Sequence, residues 1–207
     1  GAPIVRSGTT TGGAGVVNGG IVAPWMIDRG TNSFVGYDPT GAGTGFQPLT
    51  STTSPLTGMM GYSKVITASP ITTLVAGDTV DITTAAMTLG QNPSIHALRT
   101  NQNISPTATF NAVTIESGGL IMAGGTINPT SAIAPGVISP MTLNFGAGGA
   151  GEAFIYNSAT GIIQAQINAT QGITKFGAGQ LQIHSINPGI GAPVVMNEGT
   201  LYVRVPY

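Results

Sequence analysis

From about residue 71 the chain falls into short runs in which apolar and polar residues alternate, each run stopped by Gly, Asn or Pro. The early runs are TLVA at 73–76, TVDIT at 79–83, AMTL at 86–89 and SIHALRT at 94–100. ATFNAVTIE at 108–116, GLIMAG at 119–124, GTINP at 125–129, PMTLNF at 140–145 and EAFIYN at 152–157 follow. The series closes with GIIQAQIN at 161–168, GITKF at 172–176, QLQIHSI at 180–186, PVVMN at 193–197 and TLYVRV at 200–205. Alternation with period two puts one set of side chains inside and the other in solvent, so each run predicts a strand. No stretch of a dozen residues carries the 3.6-residue period of a helix.

Strands 8–12 residues apart with no helix between them fit a sandwich, a barrel or a β-solenoid. Three features favour the solenoid. Asn-Gly and Asp-Gly hairpin signals are missing between the runs, the inward positions are mainly Ile, Leu and Val, and small residues recur where a coil would bend. The sequence before residue 71 is different. Residues 1–20 read as a short strand followed by Gly/Thr-rich turns, 21–49 hold the single tryptophan and several aromatics, and 50–70 read as an exposed connection. The expected division is therefore a strand and capping region over 1–70, with Gly/Thr/Pro-rich loops, and solenoid coils over 71–207.

Composition strengthens the all-β reading and narrows the function. Only 6% of the residues are charged, against about 25% in an ordinary soluble domain, while 41% are hydrophobic. The 32 glycines and 14 prolines suit strands and turns. The formal charge is −1, and Arg6, Arg29, Lys64, Arg99, Lys175 and Arg204 are scattered, so no basic stripe offers itself to nucleic acid. No apolar run reaches 18 residues, so no transmembrane helix is expected. There is no cysteine, which removes disulfides and thiolate metal sites and suits a bacterial secreted or surface protein. A chain beginning at Gly1 reads as a processed protein or a piece of a longer one.

The segment 172–203 carries a spaced pattern. Lys175, Gly177, Gly179, Leu181 and Ile183 form its first half, and Asn197, Gly199, Thr200, Leu201 and Val203 its second. This resembles the autotransporter-associated β-strand repeat of the passenger regions of bacterial autotransporter-type adhesins. Asn187 stands one residue earlier than that pattern has its asparagine, Ile190 replaces an aromatic and Ala192 a glycine. AVTIESGGLIMAGGTI at 112–127 and the sequence around Trp25 are also similar to such passengers. The resemblance implies a right-handed parallel β-helix, exported and displayed at the bacterial surface. It brings no catalytic residue and no cofactor.

Candidate chemistry is sparse. Asp78 and Asp81 in GDTVD supply too few oxygens for a metal and read as a turn entering a strand. Asp28, Asp38, Glu116, Glu152 and Glu198 are isolated along the chain, whereas polysaccharide cleavage needs acids gathered on one face. His96 and His184 are single histidines inside strand-like runs. GAGTG at 41–45 and GAGGAG at 146–151 open no helix and read as turns rather than phosphate loops. Trp25, Phe34 and Tyr37 form a candidate interaction patch for a sugar or partner, or else cover apolar surface as part of the cap.

The sequence thus leads to a non-enzymatic, secreted, cell-surface structural or adhesive β-helix module. Its expected partners are copies of itself, in an oligomer or an extracellular filament, or neighbouring repeats of a longer chain. Surface glycans or host proteins are expected at its loops, and no cofactor or metal is expected. A carbohydrate-active β-helix enzyme and a receptor-binding part of a phage fibre stay open as alternatives.

Overall fold

A computed structural model describes residues 20–38, 45–51, 61–128 and 141–204. The strand expected within 1–20, most of GAGTG, and Val205 lie outside the described residues. The described chain is all-β, with a short 3-10 turn at Ala147–Gly149. Its strands are β1 (Ile27–Asp28), β2 (Ser33–Asp38), β3 (Gly45–Pro48), β4 (Lys64–Val65), β5 (Thr79–Ile82), β6 (Met87–Thr88) and β7 (Ser94–Thr100). Then come β8 (Ile104–Ser105), β9 (Ala112–Met122), β10 (Thr126–Ile127), β11 (Thr142–Phe145), β12 (Ala153–Asn157) and β13 (Gly161–Ile163). The last are β14 (Gln166–Ala169), β15 (Ile173–Phe176), β16 (Gln180–Ile183), β17 (Gly189–Ile190), β18 (Val194–Met196) and β19 (Thr200–Val203).

From β4 onward every strand pairing is parallel, and each strand lies on its counterpart one coil earlier, which makes a β-solenoid of about five turns. One sheet runs β6-β8-β10-β13-β16-β19, and a 10-stranded sheet carries the other strands of the coils. The register stacks like on like. Met87, Ile104, Ile127, Ile163, Ile183 and Val203 form one inward column. Lys64, Val80, Leu98, Leu120, Ile155, Lys175 and Met196 form another. Parallel strands about 4.8 Å apart place each branched side chain on the next, so one apolar core grows coil by coil.

Three runs behave differently from their expected strands. TLVA at 73–76 is a turn: the Asp78 carboxylate accepts the Val75 N–H, Asp78 N–H returns to Val75 O, and Gly77 takes φ +89. Leu74 is buried there and Val75 exposed, which four alternating residues cannot distinguish from a strand. The runs at 108–116 and 119–124 join in β9, whose two halves pair with β11 and β12 respectively. GIIQAQIN does the reverse and bends between β13 and β14, with Ile163, Ala165 and Ile167 all buried through the corner. The ladder also begins earlier than residue 71, at β4, inside the segment read as connection.

The N-terminal region is an antiparallel sheet, β1-β2-β3. Its first turn is tied by Asp28, which accepts both the N–H and hydroxyl of Thr31, and by Asn32 at φ 51. The sheet lies along the flank of the solenoid. Ile21, Phe34 and Leu49 pack on Tyr62, Ala97, Ile121 and Tyr156, outward residues of several successive coils, and form a second core.

Candidate functional site

Each of the three aromatics picked from the sequence packs against a different ring. Phe34 is fully buried beside Tyr62, with ring centroids 6.5 Å apart, and anchors the flank sheet. Trp25 stays 57% exposed while its ring leans on Phe154 at 5.2 Å. Tyr37 pairs across the β2–β3 ladder with Phe46 at 5.3 Å, both exposed. Phe34 is thus covering surface, and Trp25, leaning on the half-buried Phe154, and the exposed Tyr37–Phe46 pair are what this region presents to solvent.

The repeat residues meet at one corner. Leu181 and Ile183 point inward on β16, while Gln180 and Gln182 point out. Leu201 and Val203 repeat that on β19, directly above. Gly177 has φ +84, and a Cβ there would press on Asn157 O and lie 2.8 Å from the Tyr156 ring. A Cβ at Gly179 would strike the backbone of Ala159. Asn197 continues the ladder through its N–H to Lys175 O at 2.9 Å. Asn187, displaced by one residue from the repeat pattern, still serves the coil beneath: its side-chain oxygen accepts the Ile167 N–H at 2.7 Å.

Lys175 is the unexpected member. It shares the inward face with Ile173 and is completely buried. Its ammonium donates to Gly177 O and Glu198 O, both at 2.8 Å, so it clips the turn of one coil to the turn of the next. Burial holds its pKa below the usual lysine range, and Glu198 opposes that shift. A Cβ on Gly199, at φ +77, would lie 2.6 Å from the ammonium nitrogen. The Lys, the first Gly and the last Gly of the pattern are therefore one device: a cation set among carbonyls, with a glycine leaving it room.

A second tie holds the flank sheet. Asp81 and Arg99 sit one coil apart in register and meet at 3.3 Å. Arg99 also donates to Ser51 Oγ at 2.6 Å and Thr31 O at 3.3 Å, and its guanidinium lies over the Tyr62 ring. The signal in the sequence is an acid and a base on outward positions 18 residues apart.

The remaining acids do similar work. Asp78 closes its turn and accepts from Ser63, Glu116 accepts from Ser94 on the coil below, and Glu152 accepts from Thr174 on the coil above. Glu198 pairs with Arg29 at 2.8 Å. His96 and His184 stand apart, each with its pKa lowered, first by burial. His184 stacks edge-on against Tyr202. Among the described residues no group of three metal-ligating side chains comes together. GAGGAG forms the corner between β11 and β12, with Gly146, Gly148 and Gly149 at positive φ. No helix among the described residues is long and apolar enough to cross a membrane.

No family model, no curated protein and no solved structure matches this chain.

Proposed function

We propose that the chain is a secreted, cell-surface β-solenoid module with a structural or adhesive role, without enzymatic activity, and that it works in an assembly. The observation that supports this best is the use made of its carboxylates. Asp78, Asp81, Glu116, Glu152 and Glu198 each bind a different partner, and most of those contacts join one coil to the next or to the flank sheet. A glycoside hydrolase instead holds two acids free on either side of one bond. Charge here maintains the shape of a nearly neutral ladder whose stability comes from stacked apolar columns. The exposed rings around Trp25 and Tyr37 are the surface such a module offers to glycans or host proteins.

The test has two arms. Incubation with a panel of bacterial and plant polysaccharides is expected to release no reducing ends, and beads coated with the protein are expected to bind glycan arrays or cell surfaces. Sustained release of reducing ends, lost on replacing one carboxylate with its amide, would overturn the reading.

A further inference from the structure

Trp25 is the largest of the exposed apolar side chains among the described residues, and several contacts fix where its ring lies. The turn that carries it is closed by the Met26 N–H, which donates to Ala23 O at 3.1 Å. Pro24 lies against Gly119, where a Cβ would come within 2.9 Å of the proline ring. Gly119 is the in-register neighbour of Phe154 on the next coil, so the turn settles beside that ring and Trp25 leans on it. Glu152 and Phe154 share the outward parity of β12, and Thr174 stands over Phe154 in register on β15. The Thr174 hydroxyl donates to one oxygen of Glu152. No cation meets this carboxylate: among the described residues the ion pairs are Arg29–Glu198 and Asp81–Arg99, so both arginines that touch the flank sheet are already engaged. Two rings, a hydroxyl and a carboxylate without a counter-charge thus adjoin on one surface, where the flank sheet meets the solenoid.

We infer that this cluster binds a glycan whose sugars carry a free amino group, with the ammonium on Glu152 and the C–H face of the sugar on Trp25. The inference rests on the adhesive reading proposed above and names the ligand class of its Trp25 surface. Charge complementarity selects the ligand. A carboxylate without a cation favours an ammonium through a charge-assisted hydrogen bond. The faces of the two rings attract the same charge. An acidic sugar is repelled by Glu152, and an N-acetylated one leaves the carboxylate without a counter-charge. A sugar ring also offers the exposed indole an apolar face with polar edges. The chain's formal charge is −1, so little general attraction for a cation adds to what the cluster itself provides.

Isothermal titration calorimetry of the 207-residue chain tests this, with glucosamine oligomers and the same oligomers fully N-acetylated, at about pH 6, where a free amine is protonated. The amine form is expected to bind, and the acetylated form to bind at least about tenfold more weakly. Glu152→Gln keeps an acceptor for Thr174 and is expected to remove that preference. Trp25→Ala is expected to weaken binding of the amine form about tenfold. Both variants are expected to retain the circular dichroism and thermal midpoint of the native chain, since neither side chain is buried. Phe46→Ala, in the other exposed pair, is expected to leave binding unchanged. Equal affinity for the two forms overturns the inference, as does a preference that survives Glu152→Gln, a loss on Phe46→Ala equal to that on Trp25→Ala, or no binding of the amine form. Binding of other glycans with no preference for amino sugars overturns the ligand class alone; sugar released from either oligomer overturns the proposed function alone.

Discussion

Gly199→Ala probes the corner where the repeat pattern closes. Two costs add. The residue has φ +77, which an alanine adopts at about 1–2 kcal/mol. The new Cβ falls 2.6 Å from the Lys175 ammonium, which must leave its carbonyls, and losing a hydrogen bond from a buried charged group costs about 1.5–3 kcal/mol. The expected destabilisation is about 3–5 kcal/mol. In a Lys175→Leu background the ammonium is gone while the Cβ still meets the Gly177 and Gly179 carbonyl oxygens, so the same change is expected to cost less by the hydrogen-bond term, about 1.5–3 kcal/mol. Urea unfolding followed by circular dichroism gives all four corners of this double-mutant cycle. A coupling of about 2 kcal/mol supports the account; additivity within about 0.5 kcal/mol refutes the claim that Lys175 and Gly199 form one device.

Other outcomes follow from burial and linkage. Phe34→Ala empties the centre of the flank core and is expected to cost about 3–5 kcal/mol, whereas Trp25→Ala, at an exposed ring, is expected to shift the thermal midpoint little; similar losses for both would refute the division between them. Burial pushes the Tyr62 phenol up to about 12. The unfolded chain releases that proton near pH 10 while the folded chain keeps it, so stability is complete below pH 10 and falls by about 2–3 kcal/mol as pH rises to 12. Lys175, with its pKa lowered, acts oppositely and only below 10.5, and Tyr62→Phe is expected to flatten the fall above that pH. Both histidines titrate lower in the fold, so stability is expected to decline as pH drops below 6.5, measurable as a falling urea midpoint.

Much of the ladder was legible because its period-two pattern, its Ile/Leu/Val inward positions and its corner glycines express the same geometry. QLQI and TLYV alternate in the sequence and in space. What alternation does not encode is where a strand bends: Ala112–Met122 continues through Gly118 at φ +81, while 161–169 turns a corner with its inward parity unbroken. Nor does it distinguish a turn stapled by Asp78 from a strand at 73–76. The flank position of residues 20–38 and 45–51 was not readable, because it depends on outward residues of several coils, among them Ala97, Ile121 and Tyr156, lining up. Lys175 was recognised only as part of a pattern; the structure sets it on the inward face with Ile173. Its burial becomes intelligible only with Gly177 O and Glu198 O around it, one of them from the next coil.

That the carboxylates brace the ladder rather than act on a substrate is tested most directly by urea unfolding of Asp81→Asn, which removes the buried acid that meets Arg99 one coil away at 3.3 Å. The expected result is a loss of about 1.5–3 kcal/mol of stability, with no sugar released from polysaccharides by either protein. An unchanged urea midpoint, or sugar release by the native chain that the variant loses, would contradict it.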